Sequence, residues 1–235
     1  MNAAKDSGHG LRAVLFDAGN TLVFLDYARM AEGVGSALGL QLTGAGLEAH
    51  ASEAADAMER AAGTDQERAA VYLETLFRLG GVPPARMAEL RECLARMHRE
   101  RHLWCSVRER THESLRRLRD AGLRLGIVSN SDGRVGQALE AAGLREYFDV
   151  VIDSKLVGIE KPNPAIFRAA LDALGVTAQE ALYVGDLYEV DILGAQAAGM
   201  EAVLLSSSSL LPERACRTAA SIDDLVNTLL PARPR

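Results

Sequence analysis

From residue 103 onward the sequence alternates between short apolar runs and helix-like stretches, and no other feature constrains its fold as tightly. Strand-like runs fall at residues 123–128, 150–152, 181–184 and 201–205. Between and around them, helical segments are expected over 109–120, from a cap at Asp132 to residue 142, over 164–174, through 193–198, and over 222–230. Asn163 and Pro164 suit the cap and first turn of the third of these. A further run, 11–16, opens the pattern near the N-terminus. Its Ala13-Val14-Leu15-Phe16 is continuously apolar, as in a strand buried on both faces. Strands that alternate with helices predict an α/β fold with a Rossmann-like parallel sheet.

The alternation is interrupted once. Residues 27–102 are rich in alanine, arginine, glutamate, leucine and methionine, and poor in β-branched residues. Apolar positions recur at helical spacing in Val71, Leu73, Leu76, Phe77 and Leu79, and again in Met87, Leu90, Leu94 and Met97. Breaks at Gly44-Ala45-Gly46, Gly63, Gly80-Gly81 and Pro83-Pro84 divide the block into about four helices. The expected organisation is an α/β core from 11–26 and 103–235, with an inserted all-helical domain at 27–102.

Composition removes several function classes. The net charge of −6 argues against nucleic-acid binding. No apolar run is long enough to span a membrane, and the first ten residues lack the apolar stretch of a secretory signal. Three widely spaced cysteines (Cys93, Cys105, Cys216) suggest neither a disulfide framework nor a zinc site, so reduced thiols in a cytoplasmic protein are expected. A polar loop at 206–209 and a frayed tail at 231–235 carry no motif.

In open parallel sheets, ligands bind at the carboxyl ends of the strands. Four such ends or loops carry chemistry. Asp17 follows the first strand, with Thr21 beyond it. Ser129-Asn130 follows the second core strand. Lys161 sits in Gly158-Ile159-Glu160-Lys161-Pro162-Asn163-Pro164. Asp186 follows Val184-Gly185, with Asp191 after it. Clustered carboxylates call for a cation. An all-oxygen donor set suits Mg²⁺, which bridges carboxylates to phosphate oxygens. A lysine and a small hydroxyl can hold the other phosphate oxygens, and a carboxylate can attack phosphorus to give an aspartyl-phosphate.

The ordered set Val14-Leu15-Phe16-Asp17…Thr21-Leu22, Ile127-Val128-Ser129-Asn130, Glu160-Lys161-Pro162-Asn163-Pro164 and Tyr183-Val184-Gly185-Asp186…Asp191 resembles the haloacid dehalogenase (HAD) superfamily. The resemblance runs over about residues 11–230, and the helical insertion looks like that family's helical cap. It implies a hydrolase, with Asp17 as nucleophile and Mg²⁺ ligand. Ser129, Asn130 and Lys161 would hold the substrate, with Lys161 also taking part in catalysis. Asp186 would bind the metal, and Asp191 would bind it in the outer shell or through water. Position 19 would offer the metal its backbone carbonyl. From the residues alone, Asn130 either orients the first motif's loop or only finishes its strand. Asp191 could equally be a first-turn helix acid.

One position departs from the family pattern. Most phosphatases of the family carry a second aspartate two residues after the nucleophile, which protonates the leaving group. Here that residue is Gly19. Three readings follow. The first is a phosphatase of small phosphorylated metabolites that favours good leaving groups, or takes its proton from another source. The second is a 2-haloacid dehalogenase-like hydrolase, since the carbon–halogen branch also lacks the second aspartate. That branch usually also lacks the metal-binding aspartate that Asp186 supplies. The third is a catalytically weakened binding or regulatory protein on the same scaffold. The family's phosphonatase mechanism needs a cap lysine, and no lysine lies between Lys5 and Lys155. Asp26, Tyr27, Arg29, His98, His102 and Trp104 fall near the two cap linkers. Packing is the default reading for these, and a substrate contact the alternative.

Overall fold

The computed structural model describes residues 10–205 and 216–230, so the 206–209 loop and the 231–235 tail lie outside the described residues. In chain order the strands are β1 (Ala13–Phe16), β2 (Phe24–Leu25), β3 (Trp104–Ser106), β4 (Arg124–Ser129), β5 (Val150–Asp153), β6 (Ala181–Gly185), β7 (Glu201–Leu205) and β8 (Arg217–Ala219). Six of them form one parallel sheet in the order β5-β4-β1-β6-β7-β8. The fold is therefore the expected α/β architecture with a Rossmann-like core and an inserted helical unit.

The apolar runs explain the sheet. All four residues of β1 are fully buried, between β4 on one side and β6 on the other. Of these, Ala13 and Leu15 pack with Val128, Ile166, Phe167, Leu171 and Tyr183 in one cluster. Full burial of a leucine or phenylalanine side chain is worth roughly 1.5–3 kcal/mol, so this cluster fixes which face of each strand points inward. The edge strand β8 was not anticipated. Arg217 and Thr218 are exposed and only Ala219 is buried, so it has no apolar run to announce it.

The chain divides into two compact units. One ends at Val23 and resumes at Val107, and the other is Phe24–Ser106. The second unit holds five α-helices: Tyr27–Leu38, Gly44–Glu48, Ala51–Arg60, Asp65–Leu79 and Met87–Glu100. About four were expected. The extra one is Gly44–Glu48, whose two glycines read as a break. Thr43 caps it by accepting the Gly46 N–H at 3.0 Å. The unit's core repeats at helical spacing through Met30, Val34 and Leu38, then Tyr72 and Leu76, then Leu90, Leu94 and Met97. β2 and β3 pair antiparallel where the chain enters and leaves this unit. Among the described residues no helix is long and apolar enough to cross a membrane.

Candidate active site

The strand order puts β1 at a switch point. From β1 the chain goes to β4 and β5 on one side, then returns to β6, β7 and β8 on the other. The carboxyl ends of three adjacent strands thereby converge. Asp17 follows β1, Ser129 ends β4, and Asp186 follows β6. The Asp17 N–H donates to the Val184 carbonyl at 2.9 Å, which carries the parallel register one residue past the strand.

After Asp17 the chain turns tightly. The Ala18 carbonyl accepts from both Leu22 and Val23 N–H at 2.9 Å, and Asn20 takes a left-handed φ of 54°. Thr21 is buried and its hydroxyl donates to Asp186 Oδ1 at 3.4 Å. Gly19 is half-buried and is not among the glycines with positive φ, so its backbone does not demand glycine.

Lys161 reaches the centre from the loop before the helix Pro164–Leu174, whose N-terminus Asn163 caps by accepting the Ala165 N–H at 3.0 Å. Its ammonium donates to Asp17 Oδ1 at 2.7 Å, to Asp191 Oδ1 at 2.6 Å and to the Tyr183 hydroxyl at 3.1 Å. All three N–H groups are thus engaged, and the side chain is 3% exposed. Burial alone would lower the lysine pKa, but the carboxylates of Asp17 and Asp191 outweigh it and hold it well above the usual range. Lys161 is a permanent cation.

Asp191 is a first-turn helix acid whose side chain is turned inward. It lies in a single π turn, Tyr188–Ile192, and is 1% exposed. Its Oδ2 accepts the N–H groups of Asp186 (3.1 Å) and Leu187 (2.9 Å). The carboxylate packs so close to Gly185 that a Cβ there would collide with it, so glycine is required before Asp186.

Three carboxylates face this one ammonium. Asp17, Asp186 and Asp191 each present a carboxylate oxygen, all within 4.8 Å of one another. Burial, then Asp191 acting against the attraction of Lys161, pushes Asp17 up to about 6. Burial of its carboxyl, then Asp191 and Asp17, holds Asp186 well above the carboxylate range. Among the described residues one cation for three acids leaves negative charge uncompensated, and the all-oxygen donor set could hold a hard divalent metal.

Asn130 lies just beyond the end of β4, and its side chain reaches the Lys161 backbone. Its Oδ1 accepts the Lys161 N–H at 2.8 Å and its Nδ2 donates to the Lys161 carbonyl at 3.0 Å. It clamps the third motif. Two residues escaped the sequence reading. Tyr183, on β6, donates toward Val128 O at 3.0 Å and Asp191 Oδ1 at 3.1 Å. Asp153, at the end of β5 and 2% exposed, accepts from Gly133, Val135 and Lys155 N–H at 3.0–3.1 Å, ordering the loop beyond Ser129. Asp132 does not cap the helix Val135–Ala141 directly. It accepts the Arg134 N–H at 3.2 Å, and Asp153 serves Val135. A polar residue closing a short apolar run, the signal used for Asp17 and Asp186, also marks Asp153.

The linker residues hold the helical unit together. Asp26 caps Tyr27–Leu38 by accepting the Arg29 N–H at 3.0 Å. Arg29 donates to the carbonyls of Arg101 and His102, each at 2.9 Å. The Tyr27 and Tyr72 hydroxyls lie 2.9 Å apart, and the His98 and His102 rings stack edge-on at 4.3 Å. His102 Nδ1 accepts the Trp104 N–H at 3.3 Å.

A model of the haloacid dehalogenase-like hydrolase family matches residues 11–199. The chain belongs to this family. It is 42% identical over 142 residues to the mouse haloacid dehalogenase-like hydrolase domain-containing protein 3, covering 60% of this chain and 56% of that protein. It is 38% identical over 149 residues to a phosphoserine phosphatase of Thermus thermophilus, covering 63% and 57%. The aligned part thus spans little more than half the length of these HAD relatives. The crystal structure of a HAD phosphatase from Thermococcus onnurineus superposes with a TM-score of 0.61 at 26% identity, over 95% of this chain and all of that one.

Proposed function

We propose that this HAD hydrolase is a Mg²⁺-dependent phosphatase of small phosphorylated metabolites, working through an aspartyl-phosphate on Asp17. The observation that carries the reading is the trio of Asp17, Asp186 and Asp191 around a single permanent cation, Lys161. A structural cluster of this charge would be costly without a use for it. Asp17, Asp186 and the Gly19 carbonyl would hold the metal, with Asp191 in its outer shell. When bound, Mg²⁺ supplies charge neutralisation for the carboxylates and the phosphoryl oxygens.

In the first step an Asp17 carboxylate oxygen attacks phosphorus as the bond to the leaving oxygen breaks. As Asp17 bonds to phosphorus, the Lys161 N–H that it accepts turns to an equatorial oxygen and Ser129 holds another, where the developing charge lies. In the second, water adds to phosphorus and the Asp17–phosphorus bond breaks, releasing phosphate and restoring the carboxylate. No side chain at position 19 protonates the leaving oxygen, so substrates with good leaving groups are favoured. A cytoplasmic setting belongs to the same reading and is supported by the buried thiols of Cys93 and Cys105.

The direct test is phosphate release from p-nitrophenyl phosphate with Mg²⁺ and with EDTA. Turnover with Mg²⁺ and its loss in EDTA are expected, whereas no turnover by folded, Mg²⁺-loaded protein would overturn the reading. Gly19 favours one second reading, the 2-haloacid dehalogenase. It separates cleanly, because halide release from a 2-haloacid would persist in EDTA.

Asp17 also sets a pH dependence for metal binding. Below about pH 6 its carboxylate takes up a proton, which competes with the metal for the same oxygens. Mg²⁺ affinity measured by calorimetry should therefore fall by about tenfold from pH 7.5 to pH 5. Equal affinity at both values would remove Asp17 from the ligand set.

A further inference from the structure

We infer that Tyr183 is a positioning residue that holds the Lys161 ammonium in register with Ser129. The inference rests on the phosphatase reading for its kinetic consequence, but its structural claim stands apart from it. Lys161 arrives on a loop, and its four-carbon side chain has enough rotamers to point almost anywhere. Two carboxylates attract the ammonium, yet attraction alone does not fix its direction.

Tyr183 supplies the direction. Its ring is fully buried on β6 and packs edge-on against Phe167, with centroids 4.9 Å apart. A ring held this way has a fixed hydroxyl. That hydroxyl accepts the third Lys161 N–H at 3.1 Å. Its single proton lies between the Val128 carbonyl at 3.0 Å and Asp191 Oδ1 at 3.1 Å. Val128 is the residue before Ser129, so the hydroxyl ties the lysine tip to the end of β4. Asn130, the residue after Ser129, holds the other end of the lysine by both its main-chain N–H and its carbonyl. The two groups that would grip a phosphoryl oxygen are therefore referenced to the same three residues of β4 and its exit. Phenylalanine at 183 would keep the packing and remove only the reference.

The chain has three lysines, Lys5, Lys155 and Lys161, which makes the test direct. Protein labelled with ¹⁵N at the lysine side chains gives three ammonium signals, assigned with Lys5→Arg and Lys155→Arg. In the wild type the Lys161 protons should exchange slowly. In Tyr183→Phe the Lys161 signal should shift and its protons exchange faster. On p-nitrophenyl phosphate kcat should fall by about tenfold, the factor that one ordinary hydrogen bond is worth, with KM and Mg²⁺ affinity within about twofold. A folded variant whose Lys161 signal is unchanged overturns the inference, as does a perturbed signal with unchanged kcat. If the variant does not fold, the wild type decides. A cross-peak between the Tyr183 hydroxyl proton and the Lys161 ammonium supports the contact, and its absence overturns it. If the wild type releases no phosphate, the phosphatase reading fails, and the Lys161 signal still settles what Tyr183 holds.

Discussion

Asp17→Asn is expected to bring phosphate release down to background, a loss of at least about four decades, or about 5 kcal/mol of barrier. A neutral amide oxygen cannot attack phosphorus as a carboxylate does. Nor can a neighbour take over. Both oxygens of Asp191 are committed, one to two backbone N–H groups and the other to Lys161 and Tyr183. The same variant should not be less stable. With a carboxyl raised from 3.8 to about 6, the folded protein keeps, across that pH window, a proton that the unfolded chain has lost. Stability therefore falls as pH rises through the window, by about 3 kcal/mol in total. Asparagine has no such charge to bury, and Lys161 keeps Asp191 at 2.6 Å. A thermal melt at pH 7.5 without Mg²⁺ should place the variant at or above the wild type. An inactive variant that melts well below the wild type would mark Asp17 as structural.

Gly19→Asp should raise kcat/KM on alkyl phosphates by about 10²–10⁴-fold, the usual worth of a positioned general acid. On p-nitrophenyl phosphate the gain should be small, because that leaving group needs no proton. The backbone can take the change, since Gly19 lies outside the left-handed region and is half-buried at the turn after Asp17. A ratio of the two gains near one, in a folded variant that still binds Mg²⁺, would show that the missing acid does not limit the wild type.

Much of the architecture was legible because the chemistry sits where strands stop. Asp17, Ser129 and Asp186 each close an apolar run, and a run that ends in a polar residue can be read without coordinates. Partnership could not be read that way. Asn130 and Lys161 are 31 residues apart in sequence, and only the pairing of folded loops shows that the amide grips the lysine's backbone. Tyr183 stood in the fourth motif Tyr183-Val184-Gly185-Asp186 with no role assigned, although a buried phenol usually finds a partner for its hydroxyl. Asp191 was legible as a first-turn acid near Asp186, but its grip on the Asp186 and Leu187 N–H groups was not, because a helical periodicity conceals a π turn. In the helical unit the glycines of Gly44–Glu48 hid a helix that its Thr43 cap could have revealed.

The ribbon of β2 and β3 has a consequence for how the two parts of the chain share one sequence. Residues 24–106 leave and return through neighbouring strands, which in a paired ribbon lie about 5 Å apart. Seen from the sheet, the excursion has the footprint of a tight turn, whatever its length. Closing a loop costs entropy only as the logarithm of its length. The helical unit can therefore be lengthened, shortened or replaced over many generations while β1 and β4 keep their pairing. The sheet bears none of the consequences of such a change, because its strand order does not depend on what lies between Phe24 and Ser106.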